Sequence, residues 1–316
     1  MSRAPDLVVH VGLGAAGTLL TSAAALLGAE LARQGVRCAQ APDVPSVGGA
    51  PLLVTAAAPP PPTDPSDAWA FCSLSPDEVG SVIERSGGRR VRILFSPERQ
   101  DRLLERSYRD AVAGGYAGTF AERYPRAAEP LLDYGPIARA LEALPGVADL
   151  QVVPLEYVAA GQIAYVGALL DTLECDRPID LRPLATWRVP REYGPRGMGI
   201  ALAMAPHLDT DADRQKVAKY VMSRFSVPVG ASPRILPGPD RQAIVHAYRP
   251  ANRKFFADHA PALSTSSYGG RTGLDMLAAT LSPVVVQPAA PPAAPRPTAR
   301  RAVRSVLGRV RRRLLG

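Results

Sequence analysis

The sequence predicts an α/β fold: a mostly parallel sheet flanked by helices, with a basic amphipathic helix at the C-terminus. Three observations lead there. Short apolar runs of strand character alternate with amphipathic helical stretches from Leu7 to Leu173. A glycine-rich turn separates the first of those runs from the first helical stretch. The excess of positive charge lies in the last residues of the chain rather than across it.

The first run is Leu7-Val8-Val9-His10-Val11, which reads as a buried strand. Gly12, Gly14 and Gly17 interrupt the apolar character, and Ala23 to Arg33 resumes it with helical spacing. Asp6 and the single Arg3 make a poor signal-peptide start, so strand, glycine loop and helix are favoured over a signal or a membrane span. Pro42 to Pro65, with Gly48, Gly49 and the run Pro59 to Pro62, reads as an exposed connector of polyproline character. Beyond it a strand is expected at Trp69–Ser73, a helix at Pro76–Arg85, a strand at Arg90–Phe95 and a helix at Pro97–Ala113. The apolar side of that last helix is Leu103, Leu104, Tyr108 and Val112. Further on, Ile137–Leu144 and Val166–Leu173 read as helices and Leu150–Leu155 as a strand between them. The expected organisation is an α/β domain over residues 1–285, a Pro/Ala-rich linker over 286–297 and the basic helix over 298–316.

Composition narrows the class. The chain has 316 residues, 47% of them hydrophobic and 21% charged, which excludes a disordered chain, a collagen-like repeat and a disulfide scaffold. Cys38, Cys72 and Cys175 stand far apart with no CxxC pair, so neither a structural zinc site nor a disulfide framework is expected. A reducing, cytoplasmic compartment is the matching expectation. The net charge is +8, but Arg296, Arg300, Arg301, Arg304, Arg309, Arg311, Arg312 and Arg313 carry it, with no acid among them. Residues 1–295 are formally neutral, which argues against a specific nucleic-acid surface. In the tail Val303, Val306, Leu307, Val310 and Leu314 follow helical spacing within an arc of about 100°. Such a helix fits the inner face of an anionic membrane, or an acidic protein, through Arg300, Arg301, Arg304, Arg309, Arg311, Arg312 and Arg313; a solvated basic tail is the plain alternative.

Gly12-Leu13-Gly14-Ala15-Ala16-Gly17 spells GxGxxG after a strand, the dinucleotide fingerprint. That reading calls for an acid about 20 residues on, at the end of the second strand. The stretch Val36 to Gln40 offers none before Asp43. His207 with Asp209, Asp211 and Asp213 suggests a cation loop, but it lacks the glycine and terminal glutamate of one, and reads better as the start of a helix. No metal site is expected. Ser264 to Ser267 with Gly269, Gly270 and Arg271 forms a polar loop suited to phosphate or carbohydrate, and no Gly-x-Ser-x-Gly nucleophile signature occurs.

More of the chain resembles bacterial members of the sulfotransferase family, whose P-loop-like fold binds the sulfate donor phosphoadenosine phosphosulfate (PAPS). There a strand ending in His-x-Gly leads to a Pro-Lys-Thr-Gly-Thr-Thr loop and a long helix ending in a Gly-Val turn. This chain has His10-Val11-Gly12, then Gly14-Ala15-Ala16-Gly17-Thr18-Leu19, and Gln34-Gly35-Val36. Val91 to Gln100 with Leu103-Leu104-Glu105 and Tyr108 is similar to the family's strand and helix segment, and Asp133-Tyr134-Gly135, Val153 to Glu156 and Asn252-Arg253 also match family positions. The resemblance implies a PAPS site at Gly12, Gly14, Gly17 and Thr18. It also shows where this chain departs. Ala15 stands at the lysine position, Leu19 at the second threonine, and Leu74 where a carboxylate base is expected. Glu98 and Arg106 stand where an arginine and a serine would hold the 3′-phosphate; one residue later, Arg99 and Ser107 have the same eight-residue separation and offer a shifted pair. The expectation is a sulfotransferase-like protein without the usual donor chemistry, a non-catalytic partner or ligand-binding protein near glycan- or lipid-modifying machinery. The alternatives are an active PAPS-dependent enzyme acting on a carbohydrate or small-molecule hydroxyl, and a dinucleotide-binding oxidoreductase.

Overall fold

The computed structural model describes residues 6–41, 51–56, 62, 68–86, 90–129, 131–175, 177–229 and 235–261. At its centre are five strands: β1 (Leu7–Gly12), β2 (Arg37–Gln40), β3 (Leu52–Thr55), β4 (Val91–Ser96) and β5 (Val147–Val152). All pair in parallel, in the order β2-β3-β1-β4-β5. The α/β class with a parallel, helix-flanked sheet is therefore what the chain adopts. β1 and β4 are buried along their whole length, as strands covered on both faces must be, and this is why they read as unbroken apolar runs.

Side-chain alternation along β1 divides the core in two. Val8 belongs with Leu53 and Leu94 to one cluster, closed by α1 (Ala15–Arg33) and, further along the chain, by α6 (Gln162–Asp171). Leu7, Val9 and Val11 face the other way, against residues of α2 (Pro76–Arg85), α3 (Gln100–Ala113) and α5 (Tyr134–Glu142). Between α3 and α5 a single turn, α4 (Phe120–Arg123), is fixed by a capping box of Thr119 and Glu122. On that same face lie α7 (Pro195–Met204), α8 (Asp211–Phe225) and α9 (Gly238–His259), with a small antiparallel pair of β6 (Arg191–Tyr193) and β7 (Ser226–Pro228). The two faces follow from the chain's path. From β1 it steps outward to β2 on one side, then crosses back past β1 from β3 to β4, and crossovers of one hand running in opposite directions place their helices on opposite faces.

α1 has the length and composition of a membrane span, but Leu19, Leu20, Ala23, Leu27 and Leu31 are buried inside the fold. α2 begins and ends as the sequence predicts. Pro76 starts it, Ser75 accepts from the Glu78 amide and Glu78 accepts from the Ser75 amide.

Several expectations are corrected. The Pro-rich stretch 42–65 is not a continuous connector, because Leu52–Thr55 within it forms β3, wholly buried between β2 and β1. Four apolar or β-branched residues are too few to reveal a strand by periodicity, and parallel neighbours supply what the local sequence does not. Trp69–Ser73 is a short 3-10 helix over Ala68–Phe71 followed by a single bridge from Cys72 to Leu13, not a strand. β5 lies three residues earlier than expected. It starts after the left-handed Gly146, and Leu155 beyond Pro154 already belongs to another 3-10 turn. The acidic run near His207 is a helix start: Thr210 caps α8 by accepting from the Asp213 amide. Residues 286–297, the basic segment 298–316 and the loop 264–271 lie outside the described residues.

Gly17 sits where α1 passes the end of β3, and a β-carbon there would overlap the Ala56 carbonyl oxygen. Gly17→Ala is expected to lower the urea midpoint by an amount equivalent to about 1–3 kcal/mol, the cost of overpacking a rigid contact. An unchanged midpoint would show that α1 does not approach β3 this closely.

Candidate functional site

In open parallel sheets ligands bind beyond the carboxyl ends of the strands. Here that edge carries the β1–α1 turn, the residues after β4 and those after β5. The turn is short, Leu13 and Gly14 alone, and it is closed upon the protein. The Gly12 amide donates to Ser73 Oγ (3.0 Å), the Leu13 amide to the Ser96 carbonyl (3.0 Å), the Gly14 amide to the Phe71 carbonyl (3.4 Å) and the Ala16 amide to the Leu13 carbonyl (3.2 Å). An anion cradle needs such N–H groups pointing at the ligand. The glycines are explained by close approach: a β-carbon on Gly12 would lie 2.6 Å from the Gly17 amide nitrogen and 2.7 Å from His10 Cε1. Gly14 has φ +54°, and a β-carbon there would meet Glu98 Oε2 at 2.8 Å. Thr18 lies in the first turn of α1, half-buried. Ala15, Leu19 and Leu74 are core positions, all three being buried.

Glu98 and Arg106, eight residues apart, pair with each other. Arg106 Nε and Nη2 donate to the two Glu98 carboxylate oxygens at 3.0 and 2.7 Å, and its Nη1 donates to Glu192 Oε2 of β6 at 2.6 Å. All three side chains are buried. Burial pushes the Glu98 carboxyl up from its ordinary range, opposed by the charge and hydrogen bonds of Arg106. For Arg106, burial alone would lower its value, but the two carboxylates outweigh it and hold the guanidinium protonated. Arg109 adds a longer ion pair to Glu192, at 3.6 Å.

The shifted pair is not brought together. Arg99 forms a two-pronged bond with the buried Asp101, at 2.6 and 2.8 Å, whereas Ser107 is buried against the Tyr124 hydroxyl at 2.6 Å. The segments around Tyr134, Leu155 and Asn252 do converge, on residues 97–100. The Tyr134 hydroxyl donates to the Glu98 carbonyl, the Leu155 amide to the Pro97 carbonyl (2.8 Å) and the Arg99 amide to the Glu156 carboxylate (2.7 Å). Gln100 and Asn252 exchange side-chain amide bonds at 2.9 Å in both directions.

His10 is the site residue that the sequence reading did not single out as a candidate. Its signal was present, as the one ionisable side chain between Leu7 and Ala29. It has no exposure, its Nε2 lies 3.0 Å from Ser96 Oγ, and its Nδ1 has no hydrogen-bond partner. The distance suits a nucleophile and its base. Ser96 is equally inaccessible, however, so no acyl substrate reaches the pair. Among the described residues no group of three or more His, Cys, Asp or Glu side chains is placed to hold a metal. β2 ends at Gln40 rather than at an acid, and it is the edge strand. In the dinucleotide fold the second strand lies beside the first; here β3 holds that place.

Burial lowers the His10 imidazole from its ordinary 6.5 to about 3. Its folded value is below the unfolded one, so between those values the unfolded chain binds the extra proton. This contribution to stability is complete above about pH 6.5 and is lost as pH falls toward 3, by as much as about 5 kcal/mol. His10→Gln, which keeps a bond to Ser96 and does not titrate, is expected to flatten the decline of the urea midpoint over that window; parallel profiles would mean His10 is not held neutral. Set beside known proteins, the chain matches no family model, no curated protein and no solved structure.

Proposed function

We propose that this chain is a sulfotransferase-like α/β protein that does not run PAPS chemistry, and that it serves as a non-catalytic partner or ligand-binding subunit near machinery that modifies glycans or lipids. One observation carries the reading. At the β1–α1 turn, where a phosphate-binding loop would present amides and a lysine, the Gly12, Leu13, Gly14 and Ala16 amides are bonded to protein, Ala15 replaces the cation, and the Glu98 carboxylate lies against Gly14. A doubly charged phosphate brought there would face a buried carboxylate. The Leu74 side chain, buried in the core, has no proton-accepting group for a hydroxyl acceptor. The oxidoreductase alternative finds no support in the strand order or in β2. The arginines of residues 300–313 give the protein a means of docking on an anionic membrane or an acidic protein.

Calorimetric titration of the full chain with adenosine 3′,5′-bisphosphate, with NAD as control, is expected to give no saturable heat. Tight nucleotide binding accompanied by sulfuryl transfer to a carbohydrate would replace this reading with an active enzyme. In flotation with vesicles containing phosphatidylserine, the full chain is expected to float and a chain ending at Pro297 to stay behind; equal recovery of both would remove the membrane assignment.

A further inference from the structure

We propose that Glu98 is a built-in anionic ligand: its carboxylate fills, between the Arg106 guanidinium and the N-terminal turn of α1, the place of a free tetrahedral oxyanion such as sulfate or phosphate. This rests on the reading above and adds what keeps the site closed. Arg106 offers Nε and Nη2 side by side, the fork that binds a carboxylate or an oxyanion through two parallel bonds, and Glu98 takes both at 3.0 and 2.7 Å. The same carboxylate reaches Gly14, the residue before α1, so closely that any side chain there would collide with Oε2. A negative group at that end of a helix is favoured by its aligned peptide dipoles. Glu98 therefore sits between a fixed cation and a helix N-terminus, the pair of features that hold an oxyanion elsewhere.

The backbone that carries Glu98 is held on both sides of its carbonyl. The Tyr134 hydroxyl donates to the Glu98 backbone carbonyl, and the Glu156 carboxylate takes the next amide, that of Arg99. Glu192 fixes the far edge of Arg106 through Nη1 at 2.6 Å, so the guanidinium does not turn away when Glu98 is removed. The cavity left by truncating Glu98 would thus keep a charged, oriented donor pair.

The test compares thermal melting of the full chain and its Glu98→Ala and Glu98→Ser variants in sulfate and in chloride at matched ionic strength. Wild type is expected to gain from sulfate only the general, non-saturating stabilisation that this salt gives any folded chain. E98A and E98S should melt well below wild type in chloride and regain most of the difference in sulfate, saturably, as ligand linkage requires. The double variant E98A/R106Q should show no such recovery, which separates binding at Arg106 from general salt stabilisation. A gain of E98A from sulfate no larger than that of wild type, recovery that persists in E98A/R106Q, or failure of both single variants to regain cooperative melting in sulfate each overturns the proposal. Nucleotide binding with sulfuryl transfer by wild type would instead sink the non-catalytic reading, independently of these melts.

Discussion

A guanidinium taken out of water imposes the arrangement of the carboxyl side of this sheet. Arg106 stays charged because Glu98 and Glu192 flank it, and Arg109 adds a second cation beside Glu192. Removing one partner from such a buried pair typically costs about 3–5 kcal/mol, since a charge is then left without compensation. The consequence reaches beyond the pair. Glu98 ties α3 to the exit of β4, Glu192 ties β6 to α3, and through β6 the antiparallel pair and the helices α7 and α8 are held on the same face. Residues 97–100 are anchored in turn by Tyr134, by the neighbours Leu155 and Glu156, and by Asn252, which come from three separate stretches of chain.

The other constraint is steric. α1 enters the fold against the ends of β1 and β3 so closely that Gly12 and Gly17 have no room for a β-carbon, and Gly14 adds a left-handed φ. These three glycines would be required here with or without a ligand. The GxGxxG pattern is consequently poor evidence of nucleotide binding in this chain: the same spacing serves a two-residue turn whose amides bond to Ser73, Ser96 and Phe71. The buried His10 below that turn belongs to the same economy of space, since its ring edge approaches the position that a Gly12 side chain would take.

Legibility in the sequence varied with the range of the signal. β1, α2, β4 and α3 were readable because their evidence is local: an apolar run at Leu7, a capping Ser75-Pro76 start, another apolar run at Val91, and the helical spacing of Leu103, Leu104, Tyr108 and Val112. β3 was hidden inside proline-rich surroundings, and Trp69–Ser73 suggested a strand where aromatic residues instead pack from a 3-10 turn. In the site, the apolar character of Ala15, Leu19 and Leu74 was visible letter by letter. That Glu98 and Arg106 bind one another, and that Arg99 and Ser107 part toward Asp101 and Tyr124, was not.

The sequence by itself determined the α/β class, the main strand and helix alternation, the neutral body with a basic tail, and a glycine loop that carries no lysine. These are properties of composition and of periods of two and 3.6 residues, which act over a few neighbours. Only the tertiary structure decided the order β2-β3-β1-β4-β5, the direction in which each buried charge turns, and the neutral state of His10. Those depend on which distant segments share a low-dielectric interior. A side chain's partner and its proton affinity there are set by contacts that no local window of sequence contains.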